Sequence, residues 1–93
     1  MVNNLITTEK LAKYFQITKE ALAKAKEALN GSEQAKDFLD MAQRYYDDAH
    51  YFADKKQDLV LAFAALNYAH GWLDAGARSG LFKVKDSRLF TVD

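Results

Sequence analysis

Residues of apolar or small character recur at alternating steps of four and three along the first third of the chain: Leu11, Phe15, Thr18, Leu22, Ala25 and Leu29, with Lys13, Glu20, Lys24 and Glu27 opposite. At about 100° per residue they cover an arc of roughly 160°, the pattern of an amphipathic helix. It predicts a helix over about 8–29, started by Thr7 or Thr8 and stopped at Asn30-Gly31. The pattern resumes with Phe38, Ala42, Tyr45, Ala49 and Phe52 as an inner stripe and Asp37, Asp40, Arg44, Asp47, Asp54 and Lys55 outside. Ser32 is placed to cap this second helix, over about 33–55, and Asp58 to cap a third, over about 59–78, that Gly80 ends. Both connections are a few residues long, so neighbouring helices must be antiparallel.

The stretch 58–78, DLVLAFAALNYAHGWLDAGAR, is apolar over far more than one side. On a helical wheel Asn67, His70, Asp74 and Arg78 share a sector of about 80°, which leaves about 240° of Leu, Ala, Phe, Tyr, Trp and Gly. A helix between two neighbours needs an arc nearer 160°. The surplus falls on Leu61, Ala65, Tyr68 and Trp72, and a patch of that size calls for a cover. Two covers are available. Residues 81–93, LFKVKDSRLFTVD, have an apolar period nearer two than 3.6 and read as an extended or irregular tail. Such a tail could lay Leu81, Phe82, Leu89, Phe90 and Val92 along the third helix. The alternative is a second copy of the chain. Gly71 and Gly76 inside this helix each cost about 1 kcal/mol relative to alanine, which close helix crossing or backbone access for a ligand would explain. The fold expected is all-α: a single domain built as an antiparallel up-down-up three-helix bundle with an extended or irregular C-terminal tail.

Composition narrows the chemistry. The 13 basic residues balance the 13 acidic ones, so the basic excess of a phosphate-reading protein is missing and nucleic-acid binding is not expected. There is no cysteine, hence no disulfide frame and no thiolate chemistry, which favours the cytoplasm. No apolar run approaches the ~20 residues of a membrane span, and the first residues lack a signal-peptide layout. With no proline and four glycines, helix breakers are scarce.

His50 with Asp54 and His70 with Asp74 are four apart and so share a helical face. The hairpin sets the two histidines at heights that differ by ~9 Å, and one His with one Asp is too small a set for a structural zinc. No metal or cofactor is expected. The stripe Asn67, His70, Asp74, Arg78 has two readings. It is a polar pocket, with Asp74 orienting the imidazole and Arg78 offering a forked donor to an anion, or it is an Asp74–Arg78 ion pair beside a His70 and an Asn67 satisfied by neighbouring helices. Tyr45 and Tyr46 fall on the core side, whereas Tyr51 points to the polar face and is a candidate contact residue.

The blocks RYYDDAHYF (44–52) and AFAALNYAHGWLDAGARSGLF (62–82) resemble domain-of-unknown-function family 357, a family of short archaeal helical proteins. The resemblance implies a small helical fold and an archaeal origin and supplies no catalytic residues, since the family has no established activity. The expected function is a non-catalytic module for protein interaction or self-association through the third helix, with an unknown protein or a second copy as partner. The alternative is a small-ligand or enzymatic site around Asn67, His70, Asp74 and Arg78.

Overall fold

The computed structural model describes residues 5–91. Three helices, α1 (Thr8–Glu27), α2 (Glu33–Asp54) and α3 (Leu59–Arg78), pack as an up-down-up bundle, and among the described residues there is no strand. Each helix starts where a side chain can satisfy an unpaired backbone donor. Thr7 Oγ1 accepts the Lys10 N–H at 3.1 Å, Ser32 Oγ the Ala35 N–H at 3.0 Å and Asp58 Oδ1 the Leu61 N–H at 3.0 Å. Caps of this kind contribute about 1 kcal/mol each.

The helix ends are set by tertiary partners as well as by local chemistry. α3 closes with the Leu81 N–H on the Gly76 carbonyl (2.9 Å) and the Gly80 N–H on the Ala77 carbonyl (3.2 Å), with Gly80 at φ 80°. This is the paired closure that glycine permits without a Cβ penalty. α1 stops at Glu27, two residues before the end its apolar period predicts. The Ala28 carbonyl accepts the Lys83 N–H at 2.7 Å and the Asn30 N–H donates to the Leu81 carbonyl at 2.9 Å, so Leu29 forms an antiparallel bridge with Phe82. Asn30 then ties the loop down: its Oδ1 accepts from the Ser32 backbone (3.0 Å) and hydroxyl (2.6 Å), and its Nδ2 donates to the Gly80 carbonyl (3.3 Å).

Between α2 and α3 the contact is a seam of small residues. Ala35, Ala42 and Ala49 are fully buried and seven apart, as are Ala62 and Ala69, and Gly76 continues the α3 row at the same spacing. A seven-residue repeat keeps one seam facing the partner helix along its length. The antiparallel hairpin sets Ala49 level with Ala62, Ala42 with Ala69 and Ala35 with Gly76. Side chains this small let the axes approach to about 8 Å, the near end of the usual range.

The tail completes the core, but it leaves half of the apolar surplus of α3 uncovered. Leu81, Phe82, Leu89 and Phe90 are buried in one cluster with Ala21, Leu22 and Ala25 of α1 and Leu73 of α3. They cover neither Leu61 nor Tyr68, which stay 46% and 64% exposed. Val92 lies outside the described residues. Asp86 shapes the turn that delivers the last two: its carbonyl accepts the Leu89 and Phe90 N–H groups, and its carboxylate accepts from the Arg88 backbone (3.0 Å) and guanidinium (3.3 Å). The Arg88 bonds, side chain first, hold the Asp86 carboxyl below the ordinary aspartate range.

The two glycines inside α3 have different surroundings: Gly76 is buried and continues the small-residue row, whereas Gly71 lies outside it. Gly76 is roofed by the Phe82 ring: a Cβ there would lie 2.6 Å from Cδ2 and closer still to Cε2. Gly71 is exposed, with nothing near the place of a Cβ. Gly71→Ala is therefore expected to raise stability by about 0.5–1 kcal/mol through helix propensity alone. A urea titration checks this, and an unchanged or lower midpoint would count against it.

Candidate functional site

Of the four residues in the polar stripe of α3, two are drawn together by partners from other elements. The stripe faces α1 and the tail rather than Asp37, Asp40 and Arg44 of α2. His70 Nε2 lies 2.7 Å from the Leu89 carbonyl and Nδ1 lies 3.3 Å from Thr18 Oγ1. A carbonyl only accepts, so Nε2 carries a proton, and in the neutral ring Nδ1 is left to accept from the Thr18 hydroxyl. Asp74 takes the Thr91 backbone N–H on Oδ1 at 2.8 Å and the Thr91 hydroxyl on Oδ2 at 3.2 Å, and its Oδ1 is 3.8 Å from His70 Nε2. Both ring nitrogens and both carboxylate oxygens are thus engaged, three of the four by the tail. Thr18 is the one buried polar residue among the described core positions, at 2% exposure, and His70 satisfies its hydroxyl.

Asn67 and Arg78 stand outside this clasp. Asn67 is exposed and lines a cleft of about 290 Å³ with Tyr14, Thr18, His70 and Asp74. Arg78 is exposed in the last turn of α3, where a cation complements the helix dipole. Tyr51, half exposed, sits near the end of α2 with Lys56 Nζ 5.9 Å from its ring centre, and it joins neither the stripe nor the cleft.

The four apolar candidates on α3 divide into two pairs. Ala65 is buried, and Trp72 packs edge-on against Phe38 with ring centres 4.9 Å apart. Leu61 and Tyr68 remain outside, Tyr68 stacked on Tyr45 at 5.2 Å. With Val60, exposed at 68%, and with Ala64, Gly71 and Ala75 they form an outward strip. Residues 59–73 contain no Asp, Glu, Lys or Arg, so the strip carries no charge over about four turns.

The largest recesses lie where the apolar periodicity points to nothing. α1 and α2 both pack on α3 and leave a groove between themselves, made of two depressions of about 480 and 500 Å³ that meet at Lys19 and Tyr46. His50 stands in the first, stacked on Phe15 at 4.1 Å and 3.6 Å from Asp54 Oδ2. Burial, and next the Asp47 charge, push the Tyr46 hydroxyl above its ordinary range. A short loop between antiparallel helices implies close contact, whereas α1 and α2 each pack more extensively on α3 than on one another. The one local signal is the α1 row Ala12, Phe15, Lys19, Leu22, Lys26, which mixes lysine into positions next to the core arc.

Among the described residues no group of three or more His, Cys, Asp or Glu side chains is placed to hold a metal ion, and no helix is long and apolar enough to cross a membrane. Residues 13–82 match the family model described as "Protein of unknown function (DUF357)", most of the chain's length, and the chain belongs to that family. No curated protein and no solved structure matches it.

Proposed function

We propose that this family member is a non-catalytic helical interaction module of the cytoplasm, and that the outward face of α3 receives an apolar helix of a partner protein. The observation that carries this is the uncharged strip, with Val60, Leu61 and Tyr68 held exposed on a rigid helix. Exposed apolar surface that is contiguous and rimmed by polar residues marks interaction sites more often than chance. Amphipathic helices are recognised by just such anchors at spacings of three, four and seven. The shallow depression lined by Tyr68, Gly71, Trp72 and Ala75 gives a bulky partner side chain a place to sit. The smallness of Gly71, which the fold does not require, suits a close approach by that helix.

A photo-reactive phenylalanine at position 68, introduced in the native host, is expected to trap one discrete partner, and Leu61→Glu should abolish trapping while leaving the melting curve unchanged. Trapping no different from that at the exposed polar position 34 would overturn the reading.

A second reading rests on the cleft beside Asn67, His70 and Asp74, whose volume is near the lower bound of ligand sites at about 300 Å³. It is the weaker one because His70 and Asp74 already spend their polar atoms on Thr18, Leu89 and Thr91. A ligand there would have to displace the tail. Binding of a small metabolite that shifts the Asn67 and His70 resonances together with those of Leu89 and Thr91 would favour this reading over the first.

A further inference from the structure

The groove between α1 and α2 is lined by the same kind of row on each wall. On α1 the residues are Ala12, Phe15, Lys19, Leu22 and Lys26, at steps of three and four. On α2 they are Leu39, Gln43, Tyr46, His50 and Ala53, at steps of four and three. These are the spacings with which helices of a bundle interdigitate with a partner helix. Within this chain the two rows meet at Phe15, which packs on Tyr46 and His50, and Leu22 reaches the core. Ala12, Lys19, Lys26 and Gln43 stay exposed, because both helices turn their buried alanines to α3. The rows span about 20 Å at 1.5 Å per residue.

The two walls also differ in charge. α1 carries five lysines against three glutamates, and its groove wall is purely basic, with Lys19 and Lys26. α2 carries six carboxylates against Lys36 and Arg44, and it brings Asp40 and Asp54 to the groove beside a single lysine, Lys36, whose ammonium lies 3.4 Å from Glu33, so this wall is net acidic. A basic wall facing an acidic wall across one groove is complementary to itself under a particular two-fold operation. An axis parallel to the helices puts the α1 of one copy over the α2 of the other. An axis across the helices would instead put α1 over α1 and α2 over α2, with like charges opposed. Charge therefore selects the first arrangement, which also keeps the up-down order of a four-helix bundle.

We propose that this groove seats a second copy of the chain, forming a two-fold four-helix layer in which Lys19 of each protomer faces Asp40 of the other. The contact is isologous and closed, so it ends at a dimer. The partly buried Phe15, Leu39 and Tyr46 of both copies form its apolar centre. The α3 strips then lie on the two outer surfaces, and the dimer is a bivalent form of the module. The dimer does not depend on partner docking at α3, because it uses a different face.

Sedimentation equilibrium of the full chain over a concentration series, with far-UV circular dichroism as the check on folding, tests the proposal. The wild type is expected to reach a dimer. Lys19→Glu opposes two carboxylates twice across the interface and Asp40→Lys opposes two cations twice, and each alone should weaken self-association by roughly tenfold or more. In an equal mixture of the two variants, a heterodimer pairs the glutamate introduced at position 19 with the lysine introduced at position 40. Its other contact pairs the native Lys19 with the native Asp40, so heterodimers should form at close to the wild-type strength. No contact within one chain can produce that recovery. Tyr68→Lys should leave the dimer intact. A wild type that stays monomeric at every concentration, a mixture no stronger than either variant alone, or a dimer lost with Tyr68→Lys would each overturn the proposal. The last result would place association on α3 and leave the partner-docking face standing.

Discussion

Phe82→Ala is expected to cost about 3 to 5 kcal/mol and to lower the melting temperature by more than about 12 °C. Phe82 is 1% exposed and among the largest fully buried side chains of the described core. Its ring lies on Gly76, its backbone pairs with Leu29, and its neighbours come from α1, α3 and the rest of the tail. Truncation would leave a cavity that the helices have little freedom to fill, since α2 and α3 are already in contact through alanines. A domain of this size has a total stability of roughly 5 to 14 kcal/mol, so the loss takes from about a fifth of it to nearly all. Thermal and urea unfolding followed by circular dichroism would measure the loss. A change below about 1 kcal/mol, the level of a surface substitution, would mean that the tail lies outside the cooperative core.

Ala42→Leu should come next, with a loss of about 1 to 3 kcal/mol from overpacking. Ala42 is fully buried in the middle of the seam, level with Ala69. A leucine gains apolar volume, but its added carbons have no space between two helices at their closest approach, and the axes must separate along the seam. The movement would be transmitted to Ala35 and Ala49 and to the Phe38–Trp72 and Tyr45–Tyr68 pairs that flank them. Asp48→Leu, on the same helix but exposed and off the seam, serves as the control and should change little. A lower urea midpoint for Ala42→Leu together with a nearly unchanged one for Asp48→Leu is the expected pair of results.

Much of the fold is legible in the sequence because its determinants are local. Thr7, Ser32 and Asp58 each cap a helix through a bond three residues on, and Gly80 stops α3 through a left-handed backbone; all four can be read from residue type and position. What escapes reading depends on pairs far apart in the chain. The end of α1 moves from 29 to Glu27 because the backbone around Leu29 is claimed by Phe82. A tail with an apolar period near two can be recognised as extended, but its period does not say which side of α3 it will lie on. Thr18 belongs to the inner row of α1 by pattern, yet its partner His70 is 52 residues away and is fixed only by the register of α1 on α3.

The same division applies to the candidate residues. The wheel gathers Asn67, His70, Asp74 and Arg78 on one side of α3, and the structure shows what that side meets: the tail fastens His70 and Asp74, while Asn67 and Arg78 stay at the surface. The apolar surplus of α3 is half consumed, by burial of Ala65 and by packing of Trp72 on Phe38, and half left over at Leu61 and Tyr68. The groove between α1 and α2 has no counterpart in the periodicity of either helix alone. It arises from the arrangement of both on a third element.

The outward faces are what remains for partners only if the tail is part of the cooperative core, held by the bridge to Leu29 and by the clasp on His70 and Asp74. Native-state hydrogen exchange at the Asn30 and Lys83 amides tests this most directly, because their bonds to Leu81 and Ala28 exist only when the tail is docked. A docked tail predicts that both exchange as slowly as the buried amides of α3, through global unfolding. Exchange at the rate of an unstructured loop, with α3 still protected, would contradict it.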